Sequence, residues 1–191
     1  MTAFLISFGV IFVAELGDKS QLMAMTLASR FRPLPVLAGI TIATAVVHAL
    51  SVSIGAAAGL ALPTDWITLG AGLAFVFFAA WTARGDELTS DDERNAARRG
   101  RSAIVTAVVV FFLAELGDKT MLATITLATR EGLFGTWLGS TAGMVAADAL
   151  AIGAGALLGK SLPERAIRYG AAALFVIFGV LLITEALRQL T

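Results

Sequence analysis

Acidic and basic side chains lie together in two places where the chain is otherwise strongly apolar. The string Ala-Glu-Leu-Gly-Asp-Lys occupies residues 14–19 and recurs unchanged at residues 114–119; we call these the first and the second motif. A glutamate and an aspartate three residues apart share one face of a helix, and a lysine four residues after the glutamate can pair with it. The two motifs therefore predict either an ion site or a set of buried ion pairs.

Oxygen atoms dominate the side chains of the motifs. Four carboxylates are the predicted metal ligands, those of Glu15, Asp18, Glu115 and Asp118. Ser20 and Thr120 add a hydroxyl group directly after each motif. Such hard oxygen ligands suit Ca²⁺, Mn²⁺ or Mg²⁺. Gly17 and Gly117 leave the backbone uncovered beside the carboxylates, which allows close helix approach or a local break in the helix.

The summed charge of the motifs indicates how such a site could exchange ions. With Lys19 and Lys119 the four carboxylates carry a net charge of −2 when all six groups are ionised. One divalent cation or two protons would neutralise that charge, and a site in a low dielectric favours neutrality. Alternate binding of a cation and of protons is one interpretation. The other is that the motifs only hold two parts of the chain together through Glu–Lys pairs.

The composition is that of a membrane protein. The 191 residues are 58% hydrophobic and 15% charged, with a mean hydropathy of +0.85, whereas about a quarter of the residues in a soluble domain are charged. The net charge of +0 offers no basic surface for nucleic acid, and the absence of cysteine excludes thiolate metal sites. No nucleophile–base pair or phosphate-binding loop is visible, so we expect neither an enzyme nor a bound cofactor.

Six apolar segments are long enough to cross a bilayer, since about 20 helical residues span its hydrocarbon core. They are residues 3–28, 35–61, 66–83, 102–128, 134–158 and 167–188. The motifs lie within the first and the fourth segment. A charge at the centre of a lipid-facing helix costs about 2.5–3.5 kcal/mol. The charged side chains of the motifs are therefore expected to face the protein interior.

The spacing of 100 residues between the motifs extends along the whole chain and also aligns Pro63 with Pro163. An odd number of spans in each half gives the halves opposite orientations, as in many secondary transporters. The sequence therefore predicts an all-α membrane protein with six transmembrane helices arranged as a 3+3 inverted repeat. The predicted organisation is one membrane domain, 1–191, with a first three-helix repeat, 1–83, a charged loop, 84–101, and a second three-helix repeat, 102–191.

Lysine and arginine residues predict which side of the membrane each loop occupies. Outside the motifs, ten of them fall on the side that carries the loop 84–101, and only Arg130 and Arg188 fall on the other side. Cytoplasmic loops carry an excess of such residues. We therefore expect a multi-pass protein of the inner (plasma) membrane with a cytoplasmic central loop and both termini outside.

The doubled motif resembles that of a known family. The pattern Glu-x-Gly-Asp-[Lys/Arg]-[Ser/Thr] is matched fully at residues 15–20 and 115–120, and the resemblance to the Golgi-type calcium/manganese:proton exchanger family covers essentially the whole chain. It implies cation transport, with Mn²⁺ export in bacterial members and Ca²⁺ and Mn²⁺ handling in eukaryotic Golgi members. It also implies that the acidic residues of the motifs form the cation site.

Further candidate residues lie close to the motifs or at span centres. Asp148 is predicted to carry protons or to support the cation ligands, because a carboxylate within a membrane usually has a function. At the equivalent position His48 either titrates near neutral pH or is a hydrogen-bonded packing residue. The remaining supporting candidates are Lys19, Ser20, Gln21, Lys119 and Thr120. Gln21 is replaced by Met121 after the second motif, so a symmetric ligand role is not expected there.

The sequence predicts a secondary transporter that exports a divalent cation, Mn²⁺ before Ca²⁺, in exchange for protons. Its expected partners are the cation, protons and the lipid bilayer. Two alternatives stay open: an exporter of another cation or of a cationic amino acid, and a membrane scaffold that transports nothing.

Overall fold

The computed structural model describes residues 1–61, 63–84, 102–158 and 164–190. Within these ranges the chain forms eight helices and no strand, so the described part of the protein is all-α. The helices are α1 (Thr2–Glu15), α2 (Lys19–Arg30), α3 (Pro33–Ala61), α4 (Thr64–Arg84), α5 (Ala103–Glu115), α6 (Lys119–Glu131), α7 (Leu133–Leu158) and α8 (Glu164–Leu190). The predicted charged loop lies outside the described residues from position 85 onward, as does Pro163.

Four of these helices are long and apolar enough to cross a membrane, in the segments Pro33–Ala61, Asp65–Arg84, Leu133–Ala156 and Tyr169–Gln189. Two shorter apolar helices, α1 and α5, lead into the motifs. Large apolar side chains are exposed on the outside of the bundle, including Ile177 at 53% and Leu181 at 60%. Such a surface is suited to lipid rather than to water. The protein is therefore an all-α membrane protein.

The first predicted span is interrupted at the first motif. Helix α1 ends at Glu15 and α2 begins at Lys19. Between them the Asp18 N–H donates to the Glu15 carbonyl at 3.1 Å, which closes a type II turn. This turn needs a positive φ at its third residue, and Gly17 supplies it with φ 76°. The prediction that Glu15 and Asp18 share one face of a continuous helix is wrong, because the helix ends between them.

The second motif folds in the same way and interrupts the fourth predicted span. Helix α5 ends at Glu115, and α6 begins at Lys119. The Asp118 N–H donates to the Glu115 carbonyl at 3.2 Å, and Gly117 has φ 80°. The local break that a glycine in each motif allows is therefore present in both halves of the chain.

Helices from the two halves pack on one another. Helix α4 packs along α8, α1 along α7, and α3 along α5 and α6. Phe75 and Phe175, which are 100 residues apart, meet with ring centroids separated by 5.8 Å. A Cβ atom on Gly72 would lie 2.6 Å from the Ile183 side chain. A later residue of α4 therefore contacts an earlier residue of α8, so these two helices are antiparallel.

Glycine residues allow the closest helix contacts in the bundle. A Cβ atom added to Gly55 would lie 2.3 Å from the Ile125 carbonyl oxygen, and one added to Gly59 would lie 2.6 Å from that of Thr129. Helix α3 thus lies against α6 with no room for a side chain, and the two helices run in the same direction. Small residues at a spacing of four are typical of such close helix packing.

The same arrangement is found between α7 and α1. A Cβ atom on Gly139 would lie 2.4 Å from the Phe4 carbonyl oxygen, and one on Gly143 would lie 2.6 Å from that of Phe8. Helices α1 and α7 therefore run parallel and in close contact. Each interrupted pair of helices is thus packed along a long helix from the other half.

Candidate ion site

The carboxylates of the first motif converge on one hydroxyl group. Glu15 and Asp18 are both buried, although neither has an apolar side chain. The Ser20 hydroxyl donates to the Glu15 carboxylate and lies 3.1 Å from Asp18 Oδ2. Asp18 immediately precedes the first residue of α2, where the helix dipole favours a negative charge. Burial, hydroxyl contact and helix position thus all accommodate an anionic group here.

The second motif repeats this layout. Glu115 and Asp118 are buried, and the Thr120 hydroxyl donates to Glu115 Oε2 at 2.8 Å. One oxygen of each glutamate, Oε2 of Glu15 and Oε1 of Glu115, has no hydrogen-bond partner among the described residues. Buried polar atoms are normally paired. Each glutamate therefore keeps an oxygen that a proton or a cation can occupy.

The two lysines connect the motifs. The Lys119 ammonium group bonds to the Asp18 carboxylate of the other motif, and its side chain is only 4% exposed. Lys19 lies 3.9 Å from Asp118, and its side chain is 28% exposed. Helical spacing predicted pairs with the glutamate of the same motif, but the turn in each motif redirects the lysines toward the opposite aspartate. The four residues thus join the two halves of the chain.

Asp148 joins this cluster from α7. It is fully buried, and both of its carboxylate oxygens lack a hydrogen-bond partner within the described ranges. Next to it, the Gln21 side-chain amide donates to the Ala147 carbonyl at 3.0 Å. The structure therefore brings a fifth carboxylate to the four that the motifs contribute.

Gln21 and Met121 occupy equivalent positions but make different contacts. The Gln21 side-chain oxygen accepts the Gly17 N–H at 2.9 Å, so this residue ties the first turn to α7. The Met121 sulfur lies 3.2 Å from the Gly117 nitrogen. The sulfur is a weak acceptor and cannot donate. The difference between the two motifs that the sequence indicates at this position therefore has a structural consequence. The first turn is bonded to α7 through Gln21, and among the described residues Met121 makes no such bond for the second turn.

His48 lies on α3, at the position equivalent to Asp148. It is buried, and its Nδ1 atom is 3.5 Å from the Thr141 hydroxyl oxygen on α7. One helical turn earlier, the Thr44 hydroxyl is 3.4 Å from the sulfur of Met144. These contacts are those of a histidine packed at the crossing of α3 and α7.

The cluster is not arranged as a finished metal centre. No group of three or more His, Asp and Glu residues in the described part of the chain is positioned to hold a metal ion together. The carboxylates instead contact hydroxyl groups and Lys119. A cation arriving as substrate would have to take the place of some of these partners.

Three buried hydroxyl groups on α1 and α7 were not singled out by the sequence patterns. They belong to Ser7, Thr136 and Ser140, and each lacks a hydrogen-bond partner within the described ranges. Thr136 and Ser140 precede Asp148 by twelve and eight residues, so they lie on the same ridge of α7. Comparing each half with the other at the 100-residue offset would have found them.

The chain matches a family of ion exchangers twice. The family model described as "Divalent cation/proton antiporter GDT1" matches residues 3–90 and residues 103–190, with one motif in each match. The chain belongs to this family. It is accordingly a transmembrane transporter of divalent cations and protons and not an enzyme.

Relatives of the chain include bacterial and plant proteins. It is 34% identical to a Vibrio cholerae protein named "Putative manganese exporter", over 94% of this chain and 90% of the relative. It is 30% identical to the Synechocystis "GDT1-like protein sll0615", over 94% of this chain and 96% of the relative. Identity to "Protein PAM71, chloroplastic" of Arabidopsis thaliana is 31%, over 96% of this chain but 57% of that protein. No solved structure matches the chain.

Proposed function

We propose that this protein exports a divalent cation, Mn²⁺ before Ca²⁺, in exchange for protons. The cation would bind to the motif carboxylates, those of Glu15, Asp18, Glu115 and Asp118. The observation that carries the proposal is the buried acidic cluster built from both motifs, in which Lys119 of one motif neutralises Asp18 of the other. Buried charges need compensating partners, and a cation or protons can supply them.

The chemistry of the cluster supports competition between a cation and protons. Its donors are carboxylate and hydroxyl oxygens, the ligands that Mn²⁺ and Ca²⁺ prefer. When a cation enters, it replaces the ammonium group of Lys119 and the hydroxyl contacts of the glutamates; when it leaves, protons can compensate the same carboxylates. Mn²⁺ is favoured because the Vibrio relative carries manganese export in its name.

An inverted 3+3 repeat is the architecture that we infer for this exchange. Counting α1–α2 and α5–α6 as single interrupted spans makes six crossings. Opposite orientation of the halves requires α4 and α8 to be antiparallel, α1 to run parallel to α7, and α3 to run parallel to α6. The contacts of Phe75 with Phe175 and of the glycine pairs are consistent with all three directions. Rocking of one half against the other would then expose the cluster to each side in turn.

The lysine and arginine distribution supports one orientation of this architecture in the membrane. The central loop 84–101 would face the cytoplasm and both termini would lie outside, in the plasma membrane of a bacterial cell. Export then carries the cation from the loop side to the side of the termini, while protons move inward.

Transport by purified protein in liposomes tests the proposal. An imposed pH gradient should drive Mn²⁺ across the membrane, and Mn²⁺ should in turn move protons. Glu15→Gln and Asp118→Asn should abolish both fluxes without loss of folded protein. Glu185→Gln is the matched control, because this carboxylate pairs with Arg130 at the end of a helix, away from the cluster. Mn²⁺ flux that is indifferent to the pH gradient would refute the coupling.

The same liposomes distinguish the alternatives. A competition panel of Ca²⁺, Mg²⁺, other divalent ions and cationic amino acids identifies the substrate by which of them blocks Mn²⁺ flux. A scaffold that transports nothing predicts that the motif variants unfold and that the parent protein moves no ion.

A further inference from the structure

A buried polar ridge runs along α7 toward the acidic cluster. It comprises the polar residues Thr136, Ser140 and Asp148 and the apolar residue Met144, which follow one another at intervals of four residues and are all fully buried. Twelve residues separate the first from the last, which corresponds to about 18 Å along the helix axis. The ridge therefore reaches from near the start of α7 to the carboxylates at the two motifs.

Helix α1 adds a further hydroxyl group beside this ridge. Ser7 is fully buried and lies between Phe4 and Phe8, whose backbone atoms contact Gly139 and Gly143 of α7. Eight residues further along α1, Glu15 ends the helix at the cluster. The α1–α7 interface thus carries hydroxyl groups at its outer part and carboxylates at its inner end. Between them, Val10, Ile11 and Ala14 of α1 pack in an apolar cluster with Met144 of α7.

The hydroxyl groups of this interface are not used by the helices that carry them. Helical serine and threonine commonly donate to the carbonyl one turn earlier, as Ser51 does to Val47 and Thr124 to Thr120. The hydroxyls of Ser7, Thr136 and Ser140 have no partner among the described residues. Polar groups buried in this manner are typically satisfied by water.

The equivalent interface in the other half is apolar. At the 100-residue offset, Ser7 corresponds to Ala107, Thr136 to Val36 and Ser140 to Ile40. These three residues belong to one packed hydrophobic cluster between α3 and α5. Thr106 lies nearby, but it donates its hydroxyl to the Ser102 carbonyl of its own segment. At these three positions the two interfaces therefore share a backbone arrangement and differ in polarity.

We propose that the α1–α7 interface is the access route by which water and the exchanged ions reach the acidic cluster from the face that carries the start of α1. The apolar cluster around Met144 closes this path in the present structure, so the path is continuous only after one half has rocked against the other. The α3–α5 counterpart has no hydroxyl group at the three equivalent positions and is not a route. The inference rests on the proposed transport function, since it names the path to the same cluster. Ser7, Thr136 and Ser140 line the path, and Asp148 stands at its inner end.

Accessibility of single cysteines tests this route directly. The chain contains no cysteine, so Ser140→Cys and Thr136→Cys each introduce a unique thiol without further changes. Ile40→Cys and Val36→Cys are the matched controls at the equivalent positions. Thr2→Cys, at the exposed start of α1, marks the face from which the route should open. A membrane-impermeant thiol reagent is applied to liposomes from each side separately.

We expect the thiols at positions 140 and 136 to react roughly tenfold or more faster than those at 40 and 36, because thiol reactivity follows access to water. Their labelling should occur from the same side as that of the thiol at position 2, and Mn²⁺ should slow it. Equal rates at both pairs of positions, in variants that elute as folded protein, would overturn the route. Mn²⁺ flux by the parent protein is measured in parallel, so failure of the route and failure of the transport proposal give different results.

Discussion

Replacing Lys119 with methionine tests the central ion pair of the cluster. The substitution keeps an unbranched chain of similar length but removes the ammonium group that bonds to Asp18. Asp18 would retain the Ser20 hydroxyl at 3.1 Å and would lose its positive partner. Lys19→Met is the matched control, because Lys19 occupies the equivalent position in the other motif.

The structure predicts very different costs for these two substitutions. The Lys119–Asp18 pair is almost fully buried, and removing one member of a buried pair typically costs about 3–5 kcal/mol. The Lys19 side chain is 28% exposed and its nitrogen lies 3.9 Å from Asp118. A pair of that kind contributes about 0–1 kcal/mol. The free energy of unfolding should therefore fall several-fold more in Lys119→Met than in Lys19→Met.

A bound cation should compensate the first loss. Without Lys119 the cluster carries one more uncompensated negative charge, so a divalent cation gains affinity for the folded state. A ligand present at 100 times its Kd stabilises the folded state by about 2.7 kcal/mol. Added Mn²⁺ should therefore restore most of the stability of Lys119→Met, and its effect on Lys119→Met should exceed its effect on the parent protein.

Thermal unfolding in detergent, with Mn²⁺ and with a chelator, measures both effects. Equal destabilisation of the two lysine variants would show that the difference in burial has no energetic consequence. If Mn²⁺ stabilised the parent and Lys119→Met equally, the cation would not bind where Lys119 now lies, and the exchange of Lys119 for a cation would be refuted.

Four further substitutions test the backbone and its packing, each by thermal unfolding. Gly55→Ala should lower the free energy of unfolding by about 1–3 kcal/mol, because its Cβ would lie 2.3 Å from a carbonyl oxygen of α6. Gly9→Ala is the control: no atom lies within 4 Å of its Cβ, so it should raise the free energy of unfolding by about 0.5–1 kcal/mol. Gly117→Ala meets no neighbour but must hold φ near 80°, at a cost of about 1–2 kcal/mol. Gln21→Leu leaves the Ala147 carbonyl without its donor and should lower the free energy of unfolding by about 1–3 kcal/mol. An unchanged free energy of unfolding would show that Gln21 does not stabilise the link between the first turn and α7.

Much of the fold follows from patterns that act locally along the chain. Runs of about 20 apolar residues specify membrane helices because backbone groups in lipid must bond within the segment. Pro33 stands at the first position of α3, where its fixed φ suits a helix start. The positions of α3, α4, α7 and α8 were therefore predicted to within a few residues.

The sequence alone does not determine whether the other two spans are interrupted, and the reason is physical. Glycine in an apolar helix serves close packing as well as a turn, and the string Glu-Leu-Gly-Asp is compatible with both. At Gly55 and Gly139 packing prevails, whereas at Gly17 the φ of 76° belongs to a turn. Because helical spacing was assumed across the motif, the lysines were assigned to the wrong carboxylates. Contacts between residues 101 positions apart, as between Asp18 and Lys119, depend on the tertiary fold and no local pattern encodes them.

The unequal lysine pairs are themselves informative about the proposed exchange. Two identical motifs related by an inverted repeat need not adopt identical contacts, and here Lys119 bonds to Asp18 while Lys19 stands 3.9 Å from Asp118 and partly exposed. In alternating access by rocking of inverted halves, each half takes up the arrangement that the other leaves. The opposite state would then have Lys19 buried against Asp118 and Lys119 released. Lys19→Met should consequently leave the stability of the present state almost unchanged and still slow Mn²⁺ flux, because it removes the pair that the other state requires. Full flux in Lys19→Met liposomes would mean that the two lysines do not exchange roles.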